Sequence, residues 1–240
     1  MQAVILAGGL GTRLRPLTEA TPKPMVEAGG RPFLEYMIEH LASGGFREIL
    51  LLTGHLGEHI LEHFGDGRRF GVAIRYSREG HPLGTGGAIR NAWEYLADKF
   101  LLLYGDSLLP IDYREVCGTF ERSSWCGLVV TYDNQSGDTG VRSNLAVDSS
   151  GLVVRYKKGA LDPDLSCVDA GVSCFRREVF AGSPAGAAIS LEEEIFPKLI
   201  AARQLGSFRT RQRFYDIGTL ARLHEFAALP LCLSPGLHSA

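Results

Sequence analysis

Hydrophobic positions follow two regimes along this chain. Over the first hundred residues, short apolar runs alternate with stretches whose apolar residues recur every three or four positions. Ala3-Val4-Ile5-Leu6 is uniformly apolar, as suits a strand buried on both faces of a parallel sheet. Pro32 opens a predicted helix in which Leu34, Ile38 and Leu41 share one face, and Gly44-Gly45 stops it. Residues 49–52 read as a second strand, 57–64 as a short helix and 72–77 as a third strand. Thr85 is the predicted N-cap of a helix carrying Ala88, Ile89, Ala92, Trp93 and Leu96, and a fourth strand follows at 100–104.

From Cys126 the spacing changes. Predicted strands at 127–132, 145–147, 153–156 and 168–175 are separated by turns instead of helices, which implies antiparallel additions. Ser190 with Glu193 has the spacing of a capping box, opening a helix through Ile195, Leu199 and Ile200 that Pro197 should kink, and a last helix follows Thr219. The expected fold class is α/β: a Rossmann-like mixed, mostly parallel sheet flanked by helices, with antiparallel additions in the C-terminal half. With 240 residues, one domain over 1–230 is expected, followed by a turn-rich tail at 231–240 that is either disordered or packed against another subunit, as in a homodimer. No hexapeptide array follows residue 230, so no fused left-handed β-helix is expected.

The candidate chemistry begins directly behind the first strand. Gly8, Gly9 and Gly11 allow positive φ and close approach of backbone N–H groups to an anion. Arg13 and Arg15 supply forked donors, and Lys23, held between Pro22 and Pro24, supplies a point charge. Leu14 stands where a dinucleotide fingerprint needs its third glycine, and no Gly-x-x-x-x-Gly-Lys-Ser/Thr string occurs, so two familiar phosphate cradles are excluded. A net charge of −2 argues against nucleic-acid and membrane-surface partners. Cys117, Cys126, Cys167, Cys174 and Cys232 form no CxxC or metal-spaced cluster. With no signal-like N-terminus and no membrane-length apolar run, a cytoplasmic protein is expected. His55, His59 and His63, four apart on the short helix, are read as a solvated face and not as a metal site.

The string Gly8 to Met25 resembles the signature of the sugar-1-phosphate nucleotidyltransferases, the nucleotide-sugar pyrophosphorylases. Pro82-Leu83-Gly84-Thr85-Gly86-Gly87-Ala88, Gly105-Asp106, Asp169-Ala170-Gly171-Val172 and Tyr215-Asp216-Ile217-Gly218-Thr219 are similar to the later motifs of that family, in order, over roughly residues 1 to 225. The resemblance implies attack of a sugar 1-phosphate oxygen on the α-phosphorus of a nucleoside triphosphate, giving a nucleotide sugar and pyrophosphate. It implies a nucleotide-binding half at 1–110 and a sugar-binding half at 111–230. It implies nucleotide contacts from Leu6, Ala7, Gly8, Gly9, Gly11 and Thr12, with Arg13 pulling on the departing pyrophosphate and Lys23 stabilising charge at the α-phosphate. Asp106 and Asp216 are the implied ligands of a shared Mg²⁺.

Glu79 and Gly84 stand where relatives contact the base. A carboxylate can accept from both N1–H and the exocyclic amine of guanine, which favours GTP over UTP. On the sugar side the resemblance singles out Gly140, Lys158, Asp169, Gly171 and Glu192. Lys158 occupies a place where the family commonly has Glu-Lys-Pro, but here Lys157 and Gly159 flank it. Asp169 stands where asparagine is frequent. The polar segment 133–143 is a candidate lid. The short form and the Ser190-Leu191-Glu192-Glu193 run look most like the D-glycero-D-manno-heptose or mannose 1-phosphate guanylyltransferases, which supply glycan and capsule synthesis. The alternatives are an N-acetylmuramate or hexose 1-phosphate uridylyltransferase, and a non-catalytic nucleotide-sugar sensor that would lack Arg13, Lys23, Asp106 or Asp216.

Overall fold

A computed structural model describes residues 1–134, 139–159 and 162–230. In chain order the strands are β1 (Gln2–Ala7), β2 (Glu27–Ala28), β3 (Arg31–Pro32), β4 (Glu48–Thr53), β5 (Ala73–Arg78), β6 (Lys99–Tyr104), β7 (Ser107–Leu108), β8 (Gly127–Asp133), β9 (Leu145–Val147), β10 (Val153–Tyr156), β11 (Cys167–Arg176), β12 (Leu205–Thr210) and β13 (Tyr215–Asp216). The α-helices are α1 (Phe33–Ser43), α2 (Gly57–Phe64), α3 (Gly84–Asn91), α4 (Tyr113–Arg122), α5 (Phe196–Ala201) and α6 (Leu220–Ala227).

The apolar runs form the centre of the main sheet. β5, β4, β1 and β6 lie side by side and parallel, with Ile5 opposite Leu51 on one flank and Leu103 on the other. β4, β1 and β6 are apolar on both faces because each face is covered, whereas the edge strand β5 alternates buried and exposed positions. Ala3, Ile5, Leu51 and Leu103 pack under α1, α2, α4 and α6, while Val4, Leu50, Leu52 and Leu102 pack against α3 and α5. The antiparallel additions are present: β11 runs against β6, and β8, β9 and β10 extend the sheet from it.

Several expectations are corrected. Thr85 does not cap α3: Leu83 holds the cap position, and the Thr85 hydroxyl turns instead to Glu192 and the Leu191 N–H. α3 stops at Asn91, and Trp93–Tyr95 continues as a 3-10 turn. Only half of the capping box forms. Ser190 Oγ accepts from the Glu193 N–H, but the reciprocal carboxylate on the Ser190 N–H is that of Glu194. The reason is a wide π-turn at Leu191–Ile195, which hands over to α5 just before Pro197 and so replaces the predicted kink.

No element was predicted between 105 and 126 or over 205–210, where α4 and β12 lie. β12 pairs parallel with β8, so the C-terminal half is not purely antiparallel in its additions. The tail at 231–240 and residues 135–138 of the candidate lid lie outside the described residues. Among the described residues, no helix is long and apolar enough to cross a membrane.

Candidate active site

Strand order reverses at the β1–β6 boundary, because the chain leaves β1 towards β4 and returns through β5 to β6 on the other side. Open α/β sheets hold ligands outside the carboxyl ends of their strands at such a point. The loop after β1 and the Gly105-Asp106 pair after β6 both emerge there. A cavity of about 260 Å³ lies between them, lined by Leu6, Gly8, Gly9, Lys23, Glu79, Gly84, Tyr104 and Asp106 among others. A second cavity of about 550 Å³ adjoins it across Glu79 and continues past His55 and Arg78.

The glycines here have distinct causes. Gly11 has φ +61°, and a Cβ on it would lie 2.9 Å from Thr18 Cγ2 and 3.0 Å from Lys23 Cβ. The returning 18–23 segment therefore packs on Gly11, and the Thr18 hydroxyl donates to the Gly11 carbonyl at 2.9 Å. A Cβ on Gly105 would lie 2.5 Å from the Leu6 carbonyl oxygen, so only glycine lets Asp106 approach the end of β1 this closely. A Cβ on Gly9 meets nothing within 4 Å. Its surroundings in the protein do not demand glycine.

Arg13, Lys23, Asp106 and Asp216 converge. Lys23 is 8% exposed and forms an ion pair with Asp106. β13 pairs antiparallel with β7, setting Asp216 opposite Ser107, and the Ile217 N–H donates to the Asp106 carbonyl at 3.0 Å. The Gly218 N–H donates to Asp216 Oδ1 at 2.8 Å, and a Cβ on Gly218 would lie 3.4 Å from the exposed guanidinium of Arg13. Leu14, fully buried in the 3-10 turn Thr12–Leu14, anchors that arginine's backbone while Thr12 and Arg13 stay exposed.

Asp106 and Asp216 are hard oxygen donors on adjacent backbones. Among the described residues no cluster of three or more His, Cys, Asp or Glu side chains suited to a metal occurs. A donor set of two carboxylates, completed by phosphate oxygens and water, would suit Mg²⁺ and does not fit a closed structural zinc.

The residues that the family resemblance assigns to the sugar gather beside this cluster. The Glu192 carboxylate accepts from Tyr104 Oη at 2.8 Å, Thr85 Oγ1 at 2.9 Å and Ser190 Oγ at 3.0 Å. Burial alone would raise its pKa, but these hydroxyl donors hold it below the ordinary value. Asp169 accepts from the Gly171 N–H at 2.9 Å and from Tyr156 Oη at 3.2 Å. Burial pushes its pKa up to about 6, with the Gly171 N–H opposing and the Glu192 charge adding to the rise. Burial and the same two carboxylates raise the Tyr104 hydroxyl well above its usual value, so it remains a donor.

Gly171 has φ +77° and packs against Ser107 and the Tyr104 ring. Lys158 sits exposed on the turn after β10, near enough for its charge to lower the Asp169 pKa. Gly140 is joined to the phosphate side through Arg222, which donates to its carbonyl at 2.7 Å.

Glu79 accepts from the Leu83 N–H at 3.1 Å through one oxygen, while the other faces Gly8 and Gly54. Burial raises its pKa. Gly84, with φ +70°, is pressed against the Ile189 carbonyl, where a Cβ would come within 2.6 Å. Sequence reasoning missed Tyr104, Tyr156 and Arg222, as well as Asn144, whose Oδ1 accepts from the Asp169 N–H at 2.9 Å, and took Thr85 only for a cap. One signal for Arg222 was present: a basic residue in the first turn of a helix is disfavoured by the helix dipole and calls for a partner elsewhere.

Comparison with known proteins agrees with this fold. The family model described as "Nucleotidyl transferase" matches residues 2–230. A mannose-1-phosphate guanylyltransferase of Mycobacterium tuberculosis is 36% identical over 202 residues, covering 84% of this chain and 56% of that protein, so the chain spans little more than half its length. A D-glycero-alpha-D-manno-heptose 1-phosphate guanylyltransferase of Campylobacter jejuni is 32% identical over 229 residues, covering 94% of this chain and 98% of that protein. The crystal structure of HddC from Yersinia pseudotuberculosis complexed with GMP-PN superposes with a TM-score of 0.78 at 27% identity, covering 94% of this chain and 97% of that one. The chain belongs to the nucleotidyl transferase family.

Proposed function

We propose that this chain is a Mg²⁺-dependent sugar-1-phosphate nucleotidyltransferase that uses GTP and a mannose- or heptose-type 1-phosphate. The observation that carries the reading is the convergence of Arg13, Lys23, Asp106 and Asp216 at the carboxyl ends of β1 and β6. A sugar phosphate oxygen forms a bond to the α-phosphorus as the bond from that phosphorus to the β-phosphate bridging oxygen breaks and pyrophosphate departs. Such a transfer needs alignment and charge neutralisation more than a protein nucleophile.

Each group then has a part. Leu6, Ala7, Gly8, Gly9, Gly11 and Thr12 border the nucleotide, and Gly9, which its protein surroundings leave free to carry a side chain, is kept bare for the ligand. Arg13 draws charge onto the departing pyrophosphate, and Lys23 neutralises the α-phosphate. Asp106 and Asp216 would hold Mg²⁺, which supplies charge neutralisation at the triphosphate when bound. Asp169 and Glu192, prearranged by hydroxyl and amide donors, accept from sugar hydroxyls, with Gly140 and Gly171 shaping the pocket wall. Lys158 approaches the sugar phosphate from the rim. The Glu79 oxygen without a protein partner among the described residues suits a guanine edge.

The test is a pyrophosphate-release panel of four nucleoside triphosphates against mannose, glucose, heptose and N-acetylated 1-phosphates with Mg²⁺. GTP with a mannose- or heptose-type substrate is expected to exceed every other pair. Preferred use of UTP would overturn the base assignment, and no release with any pair would overturn the enzymatic reading.

A further inference from the structure

Arg222 is the third residue of α6, whose first turn is capped by Thr219. A cation there meets the partial positive charge of the helix N-terminus, so its position needs compensation. The compensation comes from two directions. Its Nη1 lies 3.1 and 3.0 Å from the two Asp216 oxygens, and its Nη2 donates to the Gly140 carbonyl at 2.7 Å. Gly140 has φ +67°, and a Cβ there would lie 3.3 Å from Nη2, so a bare backbone lets the guanidinium come close. One planar fork thus bridges an implied metal ligand and the backbone of the sugar side, a geometry that a lysine point charge cannot reproduce at both ends.

We propose that Arg222 is a positioning residue that registers the Gly140 backbone against Asp216 and, through its charge, lowers the affinity of Asp216 for a divalent cation. The proposal rests on the functional reading above and adds a residue to it. The two effects have opposite signs. Loss of the guanidinium removes one tether of the sugar-side backbone, the others being the Asn134–Val141 and Asn134–Thr139 bonds, and weakens sugar 1-phosphate binding, while removal of a positive charge beside Asp216 strengthens cation binding. An ion pair with a merely structural role would, on removal, weaken every binding step along with stability.

The experiment compares wild type, Arg222→Met and Arg222→Lys. Mn²⁺ binding is followed by electron paramagnetic resonance, with and without a non-hydrolysable triphosphate, and the KM values of both substrates and the melting temperature are measured. For Arg222→Met, KM for the sugar 1-phosphate should rise roughly tenfold, as for loss of a charge-assisted hydrogen bond. KM for the triphosphate should change by less than about twofold, and Mn²⁺ should bind roughly fivefold tighter, as for a lost like charge at partial screening. Arg222→Lys should keep the wild-type Mn²⁺ affinity and retain the raised sugar KM.

Unchanged sugar KM, weaker Mn²⁺ binding in Arg222→Met, or no detectable Mn²⁺ binding to any of the three proteins would overturn the proposal. If Arg222→Met does not fold, Arg222→Lys still decides, because a wild-type sugar KM in it removes the role of the fork. A wild type that makes no nucleotide sugar fails the functional reading instead, while the Mn²⁺ comparison still reads the charge effect by itself.

Discussion

The proposed phosphate end and the proposed sugar end of this site solve opposite electrostatic problems within one sheet. At the phosphate end, carboxylates are met by protein cations, Asp106 by Lys23 and Asp216 by Arg222, and Arg13 stays exposed beside them. At the sugar end, carboxylates are met by neutral donors: Tyr104, Thr85 and Ser190 on Glu192, and Tyr156 and the Gly171 N–H on Asp169. Under the proposed function this difference follows from the ligands. A triphosphate brings its own charge and requires mobile counter-charge, whereas a sugar ring brings hydroxyls and requires acceptors fixed in direction.

The comparison is broken most severely at the cations. Arg13→Ala or Lys23→Met should lower kcat by about a hundredfold, since one preorganised charge is worth about 3 kcal/mol in the transition state. Arg13→Ala should leave the melting temperature within a degree or two, because the side chain is exposed. Near-wild-type turnover in either variant would remove that residue from the chemistry.

Next in size are the two implied metal ligands. Asp106→Asn and Asp216→Asn should each shift the Mg²⁺ activation curve to at least roughly tenfold higher concentration, with the double variant no longer responding to Mg²⁺. Asp106→Asn should also release Lys23, so its turnover should fall further than that of Asp216→Asn. An activation curve that is unchanged in both would show that the carboxylates serve the turn at β7 and β13 and nothing more.

Asp169 tests the sugar end through pH. Its folded pKa is raised from 3.8 to about 6, so the folded state holds the proton more tightly than the unfolded state. That contribution to stability is fully present below about pH 4 and is lost as pH rises through about 6. Asp169→Asn removes the titration, and its stability relative to wild type should therefore increase from pH 4 to pH 7, by about 2 kcal/mol after allowance for solvent screening. Denaturant melts at four pH values read this directly. A pH-independent difference would mean that the carboxyl is as solvated as an ordinary one.

What the sequence disclosed differs between the two ends for the same physical reason. The parallel strands were legible because burial on both faces leaves unbroken apolar runs such as Ile49-Leu50-Leu51-Leu52, and the loop after β1 because Gly8, Gly9 and Gly11 cluster directly behind that strand. Asp106 and Asp216 follow glycine or an aromatic at the ends of short strands and could be placed by motif. The hydroxyl network was not legible. Tyr104, Thr85 and Glu192 are 88 and 107 residues apart along the chain and meet only because the π-turn lies against α3. β12 was hidden by Gly206, which admits the Trp125 ring, and by its alternation with polar residues. α4 could have been found, since Tyr113, Val116, Cys117 and Phe120 repeat at helical spacing behind the Asp112 cap.

Thr85 gives the smallest and sharpest test, because it links the two ends. Its hydroxyl accepts from the Leu191 N–H at 2.8 Å and donates to Glu192 at 2.9 Å, while its backbone follows Gly84 at the rim of the cavity between β1 and β6. Thr85→Val keeps the shape and β-branching but strands the Leu191 donor and removes one of three hydroxyls on Glu192. The expected cost is about 1–2 kcal/mol of stability. Thr85→Ser keeps the hydroxyl and should cost less than about 0.5 kcal/mol. If the bridge serves both ends, Thr85→Val should raise KM for the sugar 1-phosphate and the triphosphate together, each by a factor of roughly two to five. A rise confined to the sugar would mean that Glu192 reports only to its own side, and that the nucleotide loop is held by the Gly86 and Gly87 N–H groups on the Ile189 carbonyl without help from the hydroxyl.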